Sequence, residues 1–247
     1  MAAVGLNIYT SYHLPFSSFH DAYEVKKMRY EQLVNFKEIG EKGRQALANK
    51  TASIVGLGSI GSTVAVMLLR SGINLRLIDK GRCFVKDLSS QTLYLEEDHE
   101  RFKAKQAKKY LEQINPAVKV KTFHEDLTKN NIFLVDADVV VDATGNPEAS
   151  ELISAYAKKK KVPLIFALAS ASQGLVATSD KGINFAKLKK LTDKIKPVDE
   201  AGLINPAVHM AAAIIVKKVF KILLKKPYHK DAVLFDIWTD SIKRQKL

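Results

Sequence analysis

The strongest constraint on this chain is a glycine-rich segment between residues 53 and 79, in which Gly56, Gly58 and Gly61 have the spacing G-x-G-x-x-G. The apolar residues around it predict a strand before the glycines and a helix after them. In such a turn the first glycine permits a tight bend, the second lets the backbone approach a phosphate, and the third lets the helix pack on the strand. We therefore predict that these glycines and Ser59 bind the phosphates of a nucleotide.

An acidic residue, Asp79, closes the next predicted strand, Leu75–Ile78, about twenty residues after the turn. A carboxylate at this position can accept hydrogen bonds from both hydroxyl groups of a ribose. A free 2′-hydroxyl group is common to NAD and ATP, so Asp79 argues against NADP and leaves the other two nucleotides open.

Length and composition indicate one large α/β domain. The chain has 247 residues, of which 47% are hydrophobic and 26% charged, so it can bury a sizeable core. No apolar run approaches the roughly twenty residues that span a bilayer, and no signal peptide is visible. The single cysteine, Cys83, excludes internal disulfides and zinc sites built from paired C-x-x-C motifs. We expect a cytoplasmic protein without membrane contact, and no residue is predicted as a metal ligand.

The net charge of +13 has two interpretations. The lysines of residues 101–109, 158–161, 187–196 and 217–226 can be solvated helix faces, or they can form an electropositive surface for an acidic protein tail or RNA. No aromatic-rich RNA-binding motif lies among them. Solvated helix faces are the favoured interpretation.

Strands and helices alternate along most of the chain. Residues 1–24 are aromatic without periodicity and are predicted as an N-terminal arm; residues 25–247 are predicted as a single domain. Helices are predicted over residues 23–37, 41–49, 62–71, 97–114, 148–160 and 205–224. Later strands are predicted over residues 118–122, 139–142, 163–169, 175–178 and 182–185, with a terminal hairpin over 232–236 and 241–246. This order predicts an α/β, Rossmann-like, doubly wound and mainly parallel sheet with a C-terminal antiparallel extension.

Two further segments have predicted roles. The apolar strand at residues 139–142 opens into a polar loop, and such loops point into the ligand crevice of a doubly wound sheet, so Asp142 and Asn146 are predicted to bind the nucleotide. The helix after Asn205 has almost no polar face, which predicts burial in the core or at a subunit contact.

With these residues in hand, the chain resembles the ubiquitin-activating-enzyme-like superfamily of ThiF, MoeB and HesA from about residue 29 onward. The resemblance is carried by R-Y-E-Q at 29–32, V-G-L-G-S-I-G-S at 55–62, R-S-G-I-N-L-R-L-I-D at 70–79, D-L-S-S-Q-T-L at 87–93, I-N-P at 114–116, D-A-T-G-N at 142–146 and L-F-D-I-W at 234–238. It implies a domain that binds ATP and Mg²⁺ and adenylates the C-terminal glycine of a ubiquitin-like or sulfur-carrier protein.

The resemblance also implies site residues and assembly. Lys103, eleven residues before the I-N-P motif, matches the family's phosphate-contacting lysine and is the predicted catalytic residue. Cys83 matches no thioester-cysteine motif and is predicted to be structural. A homodimer, or a heterodimer with a paralogue, is expected.

Several family residues are replaced. Asp87 and Ser90 stand where the family usually has an asparagine and an arginine, Gly145 where it has a Mg²⁺-linked aspartate, and Gln32 where it has an arginine that reaches the partner's ATP. Three alternatives therefore stand beside adenylation: a catalytically inactive subunit that pairs with an active paralogue, a tRNA-modifying ATP-dependent dehydratase, and an NAD-dependent oxidoreductase. For the last we find no catalytic acid–base group.

Overall fold

The structure is a computed structural model of the chain in which residues 28–193 and 195–246 are described. The predicted arm, residues 1–24, and the beginning of the helix predicted over residues 23–37 lie outside these ranges. Among the described residues, no helix is both long and apolar enough to cross a bilayer.

Within those ranges eight strands form one sheet in the order β3-β2-β1-β4-β5-β6-β7-β8. The strands from β3 to β5 are parallel, whereas β6, β7 and β8 each run antiparallel to the strand before them. The mainly parallel sheet and its antiparallel C-terminal extension confirm the predicted fold. The strands are β1 (Thr51–Val55), β2 (Asn74–Ile78), β3 (Val120–Phe123), β4 (Val139–Asp142), β5 (Leu164–Ser170), β6 (Gln173–Ser179), β7 (Asp231–Asp236) and β8 (Ser241–Lys246).

Helices cover both faces of the sheet, because the parallel strands are apolar on both sides. One hydrophobic cluster joins Ile54 and Leu77 to Val64 and Ile215, and the other joins Val140 to Ile153 on the opposite face. The helices are α1 (Glu31–Asn35), α2 (Gly40–Ala48), α3 (Ser59–Arg70), α4 (Lys103–Ile114), α5 (Pro147–Lys160), α6 (Phe185–Thr192), α7 (Val198–Ala201) and α8 (Asn205–Leu223).

The apolar helix α8 lies in the core. It packs against α3 and against strands β5 and β6, and ten of its side chains are buried. The apolar run at residues 211–216 is therefore explained mainly by burial within this chain, one of the two locations that the sequence allowed.

Two sequence predictions of secondary structure are wrong. The helix predicted over residues 97–114 begins only at Lys103, because the preceding residue Phe102 is extended and forms a β-bridge with Arg82. The strand predicted over residues 182–185 is instead a loop followed by the first residue of α6. Gly182 has a φ of +82°, and the Asn184 side chain caps α6 by accepting from the Lys187 N–H.

Candidate functional site

The glycine turn connects the carboxyl end of β1 to helix α3. Gly56 has a φ of +86°, and a Cβ atom there would lie 2.5 Å from the Ala143 carbonyl oxygen. A Cβ on Gly61 would overlap the carbonyl oxygen of Gly56, so the third glycine allows the helix to pack on the turn. A Cβ on Gly58 would meet nothing within 4 Å, so the space beside the second glycine is open. That open space lies at the start of α3, where free N–H groups favour an anion.

The carboxylate of Asp79 lies beside this turn. Val55 and Ile78 are paired in the parallel ladder, which places Gly56 next to Asp79 at the carboxyl ends of β1 and β2. The Oδ2 atom of Asp79 accepts a hydrogen bond from the Leu57 N–H, and its Oδ1 atom accepts one from the Gly81 N–H, each at 2.5 Å. Each carboxylate oxygen keeps further acceptor capacity, so the group can still accept from a ribose.

A cleft of about 220 Å³ opens at this edge of the sheet. Of the residues predicted to bind the nucleotide, Gly56, Asp79 and Asn146 line it. The side-chain oxygen of Asn146 also caps α5 by accepting from the Ala149 N–H at 3.1 Å. The other lining residues, not singled out from the sequence, are Val55, Ile78, Lys80, Gly81, Glu125, Asp126, Leu127, Thr144 and Ala149. Thr144 lies in the strand-end loop already noted in the sequence; the segment 125–127 carried no signal.

Asp142 does not line this cleft, in contrast to the prediction. Its side chain is fully buried, and its Oδ1 atom accepts hydrogen bonds from the N–H and the hydroxyl group of Thr144. Its Oδ2 atom has no hydrogen-bond partner within the described chain. Burial raises the pKa of the Asp142 carboxyl above its ordinary value, and the nearby hydroxyl groups of Ser150 and Thr144 oppose that shift. Its position favours a structural role in the loop after β4.

Lys103 lies between two loops of the candidate site. Its N–H donates to the Gly81 carbonyl at 3.0 Å, and its Cδ atom lies 3.9 Å from the position that a Cβ on Gly81 would occupy. Its ammonium nitrogen is 3.9 Å from the Oδ2 atom of Asp87. The side chains of Lys103 and Asp87 are 13% and 27% exposed. The fold therefore brings the predicted catalytic lysine to the loop that follows Asp79, although Lys103 does not line the cleft itself.

Two of the positions at which family residues are replaced, Ser90 and Gly145, lie in loops at this edge. The hydroxyl oxygens of Ser59 and Ser90 are 2.7 Å apart, which links the start of α3 to the loop after β2. Gly145 has a φ of +62° and, as a glycine, has no side chain that could bind a metal ion. Tyr94, which the sequence did not single out, donates from its buried hydroxyl group to the Leu57 carbonyl at 2.8 Å and so supports the glycine turn.

The Cys83 side chain is enclosed in the protein and is not an ionised thiol. Cys83 is buried, and burial together with Asp98 raises the pKa of its thiol to about 11. A thiol with this pKa is protonated at neutral pH, which supports the predicted structural role.

In the part of the chain that the structure describes, no group of three or more His, Cys, Asp or Glu side chains is arranged to hold a metal ion.

Comparison with known proteins finds relatives that are named adenylyltransferases. The sulfur carrier protein ThiS adenylyltransferase of Bacillus subtilis is 32% identical over 220 residues, which cover 85% of this chain and 65% of that protein. The molybdopterin-synthase adenylyltransferase of Haemophilus influenzae is 28% identical over 207 residues, 81% of this chain and 85% of that protein. This chain thus spans just under two thirds of the B. subtilis relative.

Two solved structures share the fold. Escherichia coli MccB, crystallised with MccA-N7isoASN, superposes with a TM-score of 0.74 at 20% identity and covers 93% of this chain and 79% of MccB. PaaA superposes with a TM-score of 0.75 at 23% identity and covers 98% of this chain and 77% of PaaA. The model of the ThiF family matches residues 30–247, nearly the whole described chain. The chain therefore belongs to the ThiF family.

Proposed function

We propose that this protein adenylates a carboxylate with ATP, and that the substrate is the C-terminal glycine of a ubiquitin-like or sulfur-carrier protein. The observation that carries the proposal is the convergence of the glycine turn, Asp79 and Lys103 at one edge of the sheet in a ThiF-family chain. The adenylyltransferase names of relatives at 28–32% identity support it.

Each element has a role in this proposal. Backbone N–H groups at the start of α3 bind the phosphates in the open space beside Gly58. Asp79 accepts hydrogen bonds from the ribose hydroxyls while the N–H groups of Leu57 and Gly81 hold its carboxylate in place. Lys103 lies within reach of the same edge and neutralises negative charge that develops on the phosphate oxygens.

The reaction requires no nucleophile from the protein. An oxygen of the substrate carboxylate forms a bond to the α-phosphorus, the bond from that phosphorus to the bridging oxygen breaks, and pyrophosphate leaves with the electron pair. The protein contributes position and charge. The buried, protonated thiol of Cys83 agrees with a mechanism in which no thiolate takes part in this step.

The residues of this site fit Mg²⁺ only if the ion is also bound by the phosphates of ATP. The described residues contain no ready-made metal cage, but Mg²⁺ commonly uses one or two carboxylates together with substrate phosphates. Asp87 is the carboxylate beside Lys103, and we propose that it holds Mg²⁺ when the ion arrives with ATP. Mg²⁺ would then supply charge neutralisation on the phosphates.

Exchange of labelled pyrophosphate into ATP, measured with candidate carrier proteins, tests the proposal. We expect exchange that depends on a carrier with an intact C-terminal glycine. The exchange rate of the Lys103→Ala variant should be about 100- to 1000-fold lower, as is typical when a group that stabilises transition-state charge is removed. Lys105→Ala is the matched control, because Lys105 is exposed on the same helix and does not line the cleft. Exchange that is unaffected by Lys103→Ala would contradict the assigned role.

A second candidate is a non-catalytic subunit that pairs with an active paralogue. It is favoured by Ser90, which stands at the sequence position of a family arginine and contacts Ser59 instead, and by Gly145 in place of an acid. Co-purification from the native source, followed by exchange assays on the separated and recombined chains, distinguishes this candidate from catalysis by the chain alone. Binding of ATP by this chain without exchange, and exchange only with the paralogue present, would favour the second candidate over the first.

A further inference from the structure

The end of α8 that is far from the candidate site carries a dense positive charge. Residues 205–246 contain nine Lys and Arg residues and three Asp residues. Helix α8 has 19 residues and is therefore about 28 Å long, and its Asn205 end donates a hydrogen bond to the Ser89 carbonyl near the glycine turn. The basic face, which we define as Lys217, Lys221, Lys225, Arg244 and Lys246, lies at the opposite end.

A buried carboxylate joins the two elements that form the basic face. Asp231, the first residue of β7, is 3.0 Å from the ammonium nitrogen of Lys218 on α8 and 4.0 Å from the Nε atom of Arg244 on β8. Lys218 also donates to the His229 carbonyl at 3.1 Å. Helix and hairpin are therefore fixed to one another, and the cations on both belong to one surface.

Strand register places the hairpin cations on the helix side. Asp231 is paired with Lys246, and Val233 is paired with Arg244. Directly opposed residues of an antiparallel pair share a face of the sheet. Because Asp231 points toward Lys218, Lys246 and Arg244 are on that same side. All five residues of the basic face are exposed.

The positive charge of this surface is poorly compensated. Over residues 28–193 and 195–246, the ammonium groups of Lys217, Lys221, Lys225 and Lys246 have no carboxylate oxygen within 4.0 Å. Burial lowers the pKa of Lys218, Asp231 opposes that shift, and Lys217 and Arg244 add repulsion. Asp231 is thus already engaged by Lys218 and Arg244 and does not neutralise the rest of the face.

We propose that the basic face binds the phosphodiester backbone of a nucleic acid without reading its base sequence. Exposed, unpaired cations on a fixed surface are what backbone binding requires, because charge supplies most of its affinity. Stable protein interfaces and membrane-surface helices instead need large apolar anchors. The large apolar side chains exposed on this hairpin, Trp238 and Ile242, lie toward its tip, away from Lys246. This inference is independent of the proposed adenylation.

Fluorescence anisotropy with labelled single-stranded RNA and with DNA of the same length tests the proposal. Affinity should fall with salt with a slope of about 0.7 per phosphate contact. In the variant Lys217→Glu, Lys221→Glu, Lys225→Glu the slope should decrease by about 2 and the affinity by about tenfold or more. A difference between the RNA and DNA arms identifies which nucleic acid the surface prefers.

The matched control is Lys158→Glu, Lys159→Glu, Lys160→Glu. These three lysines are exposed in the last turn of α5, on the other face of the sheet, and give the same change in net charge. The control variant should retain the affinity of the original protein. A milder variant with Gln at positions 217, 221 and 225 keeps the test valid if the Glu variant unfolds, and ATP affinity should be unchanged in all of them. No nucleic-acid binding, equal losses in both triple variants, or binding to anionic lipid vesicles alone would overturn the proposal.

Discussion

The ammonium nitrogen of Lys103 lies 3.9 Å from the Oδ2 atom of Asp87, and both side chains are partly shielded from solvent. By the family resemblance, Asp87 stands at a position where a neutral asparagine is usual. Lys103, which packs against the loop of Asp79 and Gly81, therefore has a negative neighbour in this chain. The charge on this lysine is partly neutralised before a phosphate arrives.

Asp87→Asn should consequently tighten the binding of metal-free ATP about two- to fivefold, the range expected for a part-exposed ion pair. The same substitution should reduce the gain in affinity on adding Mg²⁺, because it removes the carboxylate proposed to hold the ion. Isothermal titration calorimetry with EDTA and then with Mg²⁺ measures both effects. Asp138→Asn is the control, since Asp138 pairs with Lys50 at the opposite end of the sheet. Weaker binding of metal-free ATP by Asp87→Asn would refute this account of the pair.

Alanine at the second and third glycines should have opposite consequences. Gly61→Ala should destabilise the protein by about 1–3 kcal/mol, because its Cβ would overlap the Gly56 carbonyl oxygen. Gly58→Ala should change the free energy of unfolding by less than about 0.5 kcal/mol, because a Cβ there meets no atom within 4 Å. Gly58→Ala should nevertheless weaken ATP binding, since the open space is assigned to a phosphate. Urea unfolding and ATP titration of both variants check this; normal ATP affinity in a folded Gly58→Ala variant would count against the phosphate position.

The hydroxyl pair of Ser59 and Ser90 should contribute to stability as a unit. Replacing either residue by Ala should cost about 0.5–1.5 kcal/mol, and the double variant should cost less than the sum of the two single variants. The double-mutant cycle is measured by urea unfolding. Ser89→Ala, at an exposed neighbouring position, should be close to neutral. Strict additivity of the two single effects would show that the loop and the turn are not coupled through this bond.

The buried carboxyl of Asp142 should make stability depend on pH. Because burial raises its pKa, the folded protein binds the proton more tightly than the unfolded chain. Above the ordinary value of 3.8 the contribution of this group to stability therefore falls as the pH rises, until the pH passes the folded-state pKa. The slope of this loss is at most about 1.4 kcal/mol per pH unit.

Asp142→Asn removes this proton equilibrium and keeps the shape of the side chain. The difference in free energy of unfolding between the variant and the original protein should move in favour of the variant as the pH rises above 3.8. Urea unfolding across a pH series measures it, and Asp138→Asn serves as the part-exposed control. A difference that does not change with pH would show that the Asp142 pKa is the same in the folded and unfolded states.

Local sequence patterns were sufficient for most of the architecture. The period of apolar residues and the glycine spacing predicted β1, α3, β2, α5, β5 and the terminal hairpin, because the signals of these elements lie within their own residues. The same patterns failed where contact with a segment distant in sequence determines the backbone conformation. Phe102 is extended because it pairs with Arg82, and this contact delays the start of α4 to Lys103.

The sequence by itself therefore determined the ThiF-type order of strands and helices, the glycine turn and the acid at the end of β2. Only the tertiary structure decided that Asp142 is enclosed and does not line the cleft, that Lys103 faces Asp87, and that Arg244 lies beside the lysines of α8. The physical reason is that strand and helix propensities act over a few neighbouring residues. Burial and charge proximity are instead properties of groups that the chain brings together from far apart, such as Asp231 and Lys218.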